Sequence, residues 1–181
     1  MFALSFLNGK LLVRDYYGDV NVVRVRLDSL TEPVFYYLDV DGDGKNDTLK
    51  IYGEQTGYWF VYTGRGEKTY IAGCDMSEGD ENILEFAVGY VVSPHKPVVI
   101  AKIYRGVEVS DDRIYVVDMV PTVKGMRAEV LLDGEAGWTT LMTTIVRPNF
   151  IETRHFRGWV ESRYIGNGDR FVEQKSEEWE K

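Results

Sequence analysis

The sequence has little of what covalent staples and zinc sites require. It contains one cysteine, Cys74, and two histidines among 181 residues. A single cysteine excludes a disulfide within the chain, and this small set of sulfur and imidazole ligands argues against a structural zinc site. No stretch approaches the roughly 18 consecutive apolar residues of a membrane-spanning helix. We therefore expect neither zinc nor insertion into a membrane.

Positive charge is also scarce, with 21 Lys and Arg against 29 Asp and Glu, a net charge of −8. An excess of negative charge opposes binding to a nucleic acid, whose phosphates must be neutralised by cations. The first seven residues lack the basic segment and long apolar core of a classical signal peptide. They lead into Asn8-Gly9, a strong signal for a hairpin turn.

Catalytic motifs are missing from the sequence. It has no G-x-S-x-G nucleophile elbow, no phosphate-binding loop and no dinucleotide-binding fingerprint. His95 and His155 are possible general bases, but the sequence marks no nucleophile beside either. Each is more simply interpreted as a surface or packed histidine. We expect a protein that is not an enzyme. Glycoside hydrolysis by two carboxylates, in a calcium-dependent hydrolase, stays open as a third alternative.

Aromatic and β-branched residues are abundant, and they favour strands. Val23, Val25 and Leu27 alternate with arginines, which is typical of a half-buried strand. Short strands separated by turn residues about every 8 to 15 positions predict an all-β fold, an antiparallel sandwich or irregular barrel. We expect one domain over residues 1–181, and residues 121–125 are the best candidate for a boundary within it. The predicted strands are Ala3–Leu7, Lys10–Asp15, Asp19–Leu27, Val34–Leu38, Thr48–Tyr52, Tyr58–Thr63, Lys68–Ala72, Ile83–Val92, Val98–Tyr104, Arg113–Val120, Arg127–Leu132, Thr139–Arg147, Arg154–Ile165 and Arg170–Glu173.

The stretch with the most specific chemistry is the loop at residues 39–47. Its carboxylates stand at relative positions one, three, five and nine, and Gly44 at position six permits the positive φ of a sharp bend. This spacing can wrap a calcium ion in oxygen ligands, with the Lys45 backbone carbonyl as one ligand and its ammonium pointing away. The predicted side-chain ligands are Asp39, Asp41, Asp43 and Asp47.

The flanks of this loop distinguish it from an EF-hand. Position twelve is Lys50 rather than a bidentate Glu, and the sequences on both sides predict strands rather than helices. The stretch LDVDGDGKNDTLKIY, covering about 20 residues with its neighbours, resembles the calcium loops of FG-GAP and VCBS-type repeats, which also occur in integrin α-chains. That resemblance implies an extracellular β-structure with an adhesive or structural role. The loop occurs once, which does not fit a full propeller of such repeats.

Two alternatives to calcium remain open from the residues alone. Asp-Gly pairs are common in hairpin turns that bind no metal. Four carboxylates within nine residues repel one another, however, and a turn without a bound cation contains nothing that offsets this repulsion. Mg²⁺ is less suited to an all-protein loop because it retains water ligands and requires octahedral geometry. We therefore predict Ca²⁺.

Two further groups of residues suggest contact surfaces. A row of arginines is interleaved with aromatic residues, which fits a nucleic-acid groove or, in an acidic protein, an outward face directed at an acidic neighbour. Several aromatics near the loop fit a packed core or a sugar-binding surface. The first group is Arg147, Phe150, Arg154, Phe156, Arg157, Trp159 and Arg163. The second group is Tyr36, Tyr58, Trp59 and Tyr62.

Taken together, these features predict a calcium-binding structural subunit that assembles with itself or with other protein chains. We expect an extracellular location or a place on a cell or virion surface, in an assembly such as a surface filament or a virion. The alternative is a carbohydrate- or receptor-binding module stabilised by calcium, for which a glycan is the expected partner. An acidic calcium face and a basic arginine face on one molecule favour head-to-tail contacts, which produce rings or filaments.

Overall fold

The computed structural model describes residues 10–64, 68–75, 82–105, 112–137, 142–155 and 157–178. Across these ranges the chain forms strands and two single-turn 3₁₀ helices, Leu27–Ser29 and Ser176–Glu178, and no α-helix. No helix in this part of the chain is long and apolar enough to cross a membrane. The predicted all-β fold is confirmed.

The strands form three open sheets, which makes the architecture a sandwich rather than a closed barrel. Sheet A has the order β15-β14-β13-β12-β1-β2, sheet B the order β11-β10-β9-β8-β3, and sheet C the order β4-β5-β6-β7. All pairs are antiparallel except β1 with β12, which run parallel. The strands are β1 Leu11–Asp15, β2 Gly18–Val20, β3 Val23–Arg26, β4 Val34–Leu38, β5 Asp47–Glu54, β6 Gly57–Tyr62, β7 Thr69–Asp75, β8 Asn82–Ser93, β9 Lys96–Arg105, β10 Arg113–Thr122, β11 Gly125–Glu135, β12 Met142–Arg147, β13 Phe150–His155, β14 Val160–Gly166 and β15 Phe171–Glu173.

Sheet B lies between the other two, and its inner strands are buried on both faces. Along β8 and β9, Phe86 and Ala101 belong to a hydrophobic cluster shared with sheet C. Their neighbours Ala87 and Ile100 belong to a second cluster, shared with sheet A. Successive residues of a strand point to opposite faces, so these long apolar runs give a middle layer that contacts both outer sheets.

A buried polar cluster lies where sheet B faces sheet A. The Glu85 carboxylate accepts hydrogen bonds from the Leu11 backbone N–H at 2.5 Å and from the Tyr104 hydroxyl at 2.6 Å. Arg24 pairs with the same carboxylate at 3.0 Å. The fully buried Lys102 donates to the Met142 carbonyl at 2.8 Å. Burial lowers the pKa of Lys102 to about 8, against the opposing effect of Asp112 and Glu85.

The structure corrects two predicted strands. Residues Asp19–Leu27 are not one strand, because the chain leaves sheet A after β2 and enters sheet B at β3. Residues Arg154–Ile165 are divided between β13 and β14, which pair as a hairpin. Gly158 takes a φ of 98° in the turn between them. Neither break is marked by the proline or Asn-Gly signals that identify turns in sequence.

Smaller differences concern the extent of strands. The strand predicted over Arg127–Leu132 is longer in the structure, because β11 runs from Gly125 to Glu135. Residues 121–125, considered as a boundary, lie at the tight turn that joins β10 to β11. The predicted strand Ala3–Leu7 lies outside the described residues, as does most of the acidic stretch between β7 and β8.

We expect Glu85→Ala to destabilise the fold strongly. The substitution removes the acceptor shared by Leu11, Tyr104 and Arg24 and leaves the buried Leu11 N–H and Tyr104 hydroxyl without it, at a cost of about 3 to 5 kcal/mol. Chemical denaturation would measure the free energy of unfolding. The exposed Glu32→Ala serves as the control and should change it by less than about 0.5 kcal/mol. Equal effects of the two substitutions would contradict the importance of the cluster.

Candidate metal site

The β4–β5 hairpin positions the acidic loop at the end of sheet C. Leu38 and Asp47 face each other in the last register pair, and the loop fills the gap between them. Val40 within the loop and Leu49 just after it are fully buried in the core shared with sheet B. One apolar residue inside the loop therefore anchors it, while its carboxylates remain partly accessible to solvent.

Three of the predicted ligands come together in this loop. Asp39, Asp41 and Asp43 each present a carboxylate oxygen, and these oxygens all lie within 4.8 Å of one another. The group could hold a metal ion. Carboxylate oxygens are the ligands that hard divalent cations prefer. The structure therefore brings together the first, third and fifth positions of the predicted loop.

Backbone amides organise these carboxylates. Asp39 accepts hydrogen bonds from the N–H groups of Gly42 at 2.8 Å and Gly44 at 2.9 Å. Asp41 accepts from the Asp43 N–H at 3.1 Å, and Asp43 accepts from the Lys45 N–H at 2.8 Å. Each bond uses one lone pair of a carboxylate that has about four such sites, so acceptor capacity remains for a cation. The bonds also reduce the conformational freedom of the loop.

Two glycines supply backbone geometry that other residues adopt at a cost. Gly42 has a φ of 80° and Gly44 a φ of 82°, both in the left-handed region. A Cβ atom on Gly42 would lie 2.9 Å from Cδ of Pro97 in β9, whereas a Cβ on Gly44 would meet open space. The first glycine therefore permits both the turn and a close approach to sheet B.

Asp47 stands beside this group rather than within it. Its Oδ2 accepts a hydrogen bond from the Val40 N–H at 3.1 Å. Burial raises the pKa of Asp47, and the charges of Asp41 and Asp43 raise it further, although hydrogen bonds from Val40 and Tyr62 oppose the shift. Burial, more than the neighbouring charges, therefore disfavours the charged form of the fourth predicted carboxylate.

The side chain of Lys45 differs from the prediction. Its ammonium, expected to point away from the loop, lies 3.5 Å from Oδ2 of Asp43. Both side chains are well exposed, so this contact contributes little to stability.

A cleft of about 510 Å³ opens beside the loop. Its lining includes Asp41, Asp43 and Asp47 together with Tyr62 and the β10–β11 turn at residues 121–126. The sequence assigned Tyr62 only to an aromatic group, and no local pattern linked it or the distant turn to the loop. Long-range strand pairing places them there.

The other predicted groups are placed as follows. Arg147, Arg154 and Arg163 share the outer face of sheet A. His95 is exposed in the β8–β9 turn, and the His155 ring stacks on Trp159 with centroids 3.9 Å apart.

Of the aromatics near the loop, Tyr36, Tyr58 and Tyr62 pack in or against the core, whereas Trp59 points outward. Phe156 lies outside the described residues.

No protein-family model matches the chain, and no curated protein or solved structure matches it significantly.

We expect Gly42→Ala to destabilise the protein more than Gly44→Ala. Both substitutions impose a left-handed conformation on a residue with a Cβ, which costs about 1 to 2 kcal/mol. Only the first also forces a contact with the Pro97 ring. Thermal or chemical denaturation of both variants would measure the difference, and Gly44→Asn serves as a tolerated control because Asn adopts this conformation more readily. Equal losses at the two positions would contradict the predicted approach to β9.

We expect Asp47→Asn to stabilise the chelator-treated protein at pH 7. Because the folded-state pKa of Asp47 is raised, its contribution to stability is present below the unfolded-state pKa and is lost as pH rises through the folded-state value. Asn keeps an acceptor for the Val40 N–H without the negative charge. Melting temperatures measured in chelator between pH 4 and pH 7.5 should diverge in favour of the variant as pH rises. A wild-type protein that is the more stable one at pH 7 would contradict this.

Proposed function

We propose that residues 39–47 bind one Ca²⁺ ion and that the protein is a non-enzymatic structural subunit of an extracellular or surface assembly. The observation that supports the metal site is the convergence of the Asp39, Asp41 and Asp43 carboxylates in a loop preorganised by backbone amides. In this proposal Asp47 and the Lys45 carbonyl complete the ligand set.

Calcium suits this loop better than other cations. It accepts six to eight oxygens in irregular geometry, whereas Mg²⁺ requires a strict octahedron and retains water. Binding of the ion would neutralise the repulsion among four carboxylates. At a free concentration 100-fold above its Kd, an ion bound only by the folded state stabilises it by about 2.7 kcal/mol. Extracellular modules commonly bind Ca²⁺ with Kd values of about 10⁻⁴ to 10⁻³ M, which fits the proposed location.

The observation that favours assembly is the outer face of sheet A. Ile165 and Val172 are exposed on this face, near Phe150, which is half-buried, and Leu12 is exposed on the same face two strands away in β1. Cross-strand pairing aligns Phe150, Ile165 and Val172 in one row. Contiguous exposed apolar side chains mark interaction surfaces, whereas apolar residues scattered singly over a surface do not. We define these four residues with the flanking arginines, Arg147 and Arg154, as the sheet A face.

The charge of the sheet A face indicates the kind of neighbour it accepts. Arg147 and Arg154 are exposed there, although the chain as a whole has a net charge of −8. Glu152 is nearly buried between Arg154 and Arg163. Its burial opposes a lower pKa, but hydrogen bonds from both arginines lower it overall, so the carboxylate stays charged and fixes the arginines in place. The acidic loop belongs to sheet C, on the other side of sheet B, which suits head-to-tail contact between copies.

Size-exclusion chromatography with light scattering, run with Ca²⁺ and with excess chelator, tests this proposal. We expect an oligomer whose mass falls in chelator, together with a lower melting temperature. Val172→Glu should reduce the assembled mass, because it places a charge in the apolar row and leaves the loop unchanged. Val130→Glu, at an exposed position on β11 that belongs neither to the sheet A face nor to the cleft beside the loop, is the matched control and should assemble normally.

Two results would contradict the proposal separately. A monomer in Ca²⁺ at high protein concentration would exclude assembly and leave the metal site standing. A melting temperature indifferent to chelator would exclude a stabilising ion whatever the oligomeric state.

A further inference from the structure

A second surface lies on the outer face of sheet C. Alternate residues of β5 and β6, such as Leu49 and Phe60, enter the core, so those between them point outward. Strand pairing places Phe35, Lys50, Val61 and Tyr70 in one cross-strand row and Tyr52 beside Trp59 in another. Tyr37 pairs with Thr48 at the end next to the acidic loop. We call the outward rings the aromatic platform: Phe35, Tyr37, Tyr52, Trp59 and Tyr70.

The platform is accessible to solvent. Phe35 is 48% exposed, Tyr37 63% and Tyr70 57%, and Trp59 is half-buried. Tyr52 is only 5% exposed although it belongs to neither core cluster. It is therefore covered from the outside by its neighbours on the platform. Exposed rings at this density are not explained by the packing of the sandwich.

The rings are held in fixed orientations. Trp59 and Tyr70 meet edge to face, with centroids 5.6 Å apart and planes at 77°. The Trp59 ring lies against Gly73, where a Cβ atom would come within 2.5 Å of it. A hydrogen bond between Tyr52 and Tyr70 and the burial of Tyr52 both raise the pKa of Tyr52, burial having the larger effect. Rings already fixed in this way lose little conformational freedom when a ligand stacks on them.

Positive charge is interleaved with these rings. The Lys50 ammonium lies 4.5 Å from the Tyr52 ring centroid and 5.9 Å from that of Phe35. The Lys68 ammonium lies 5.2 Å from the Tyr52 ring. Glu54 acts on Tyr52 from the same strand. Strand pairing places Glu54 in one cross-strand row with the exposed Asp75, so the positive charge on this face is confined to the two lysines around Tyr52.

We propose that the aromatic platform binds a saccharide chain that carries carboxylate groups. The flat, apolar C–H face of a sugar stacks on exposed rings, and its carboxylates pair with Lys50 and Lys68. The row from Phe35 to Tyr70 crosses four strands, roughly 14 Å at the usual strand spacing, which suits a short stretch of such a chain. A purely apolar partner would bury the two ammonium groups without a counter-charge, which is costly.

Calorimetric titration of the full chain in Ca²⁺ with trigalacturonic acid tests the proposal, with maltotriose as a neutral trisaccharide. We expect the acidic sugar to bind and the neutral one to bind more weakly. Tyr37→Ala and Tyr70→Ala, both at exposed positions, should each weaken binding by about tenfold through lost stacking. Lys68→Gln should weaken binding of the acidic sugar alone. Val130→Ala, at an exposed position on β11, is the control, and unchanged melting temperatures confirm that every variant is folded.

Several outcomes would overturn the proposal. One is a failure of trigalacturonic acid to bind at millimolar concentration. The others are equal binding of the two sugars and binding of trigalacturonic acid that is unchanged by Tyr37→Ala and Tyr70→Ala. If instead these two variants reduce the oligomeric mass, the platform is an interface between protein copies and not a saccharide site. The saccharide titration does not involve the sheet A face, so a negative result leaves the proposed assembly unaffected.

Discussion

The structure depends on a central sheet whose inner strands are covered on both faces. Sheet B carries apolar residues on both sides, and these must be covered by two further sheets. Each outer sheet then has one face in the core and one in solvent. The polar cluster around Glu85 and Lys102 adds directional bonds between sheets A and B, which apolar packing alone does not supply.

The surfaces with interpretable chemistry all belong to the outer sheets. The acidic loop joins β4 to β5 and is anchored by Val40, while the aromatic platform covers the outer face of the same sheet. The sheet A face lies on the far side of the sandwich. Functional loops and surfaces supported by rigid elements are held more precisely than free ones. In this account, an ion in the loop would fix the β4–β5 register on which Phe35 and Tyr37 also depend.

Much of the fold could be predicted because strand signals are local. Alternation in β3 and the aromatic runs of β4 and β6 marked these strands, and the Asp spacing identified the loop between β4 and β5. The splits between β2 and β3 and between β13 and β14 carried no turn signature. The aromatic platform was missed for a different reason. The face of the sheet that a side chain occupies depends on strand register and on what covers each side. Proximity in sequence therefore grouped Tyr36 and Tyr62 with Trp59, and only strand pairing shows that Trp59 lies on the opposite face.

Titration calorimetry with Ca²⁺ on chelator-stripped protein tests the central claim most directly. The account predicts one ion per chain, with a Kd between about 10⁻⁵ and 10⁻³ M and much weaker binding of Mg²⁺. It also predicts that Asp39→Asn combined with Asp41→Asn abolishes the heat of binding while the protein remains folded. Absence of Ca²⁺ binding, or binding that persists in the double variant, would contradict the assignment of residues 39–47 as a calcium site.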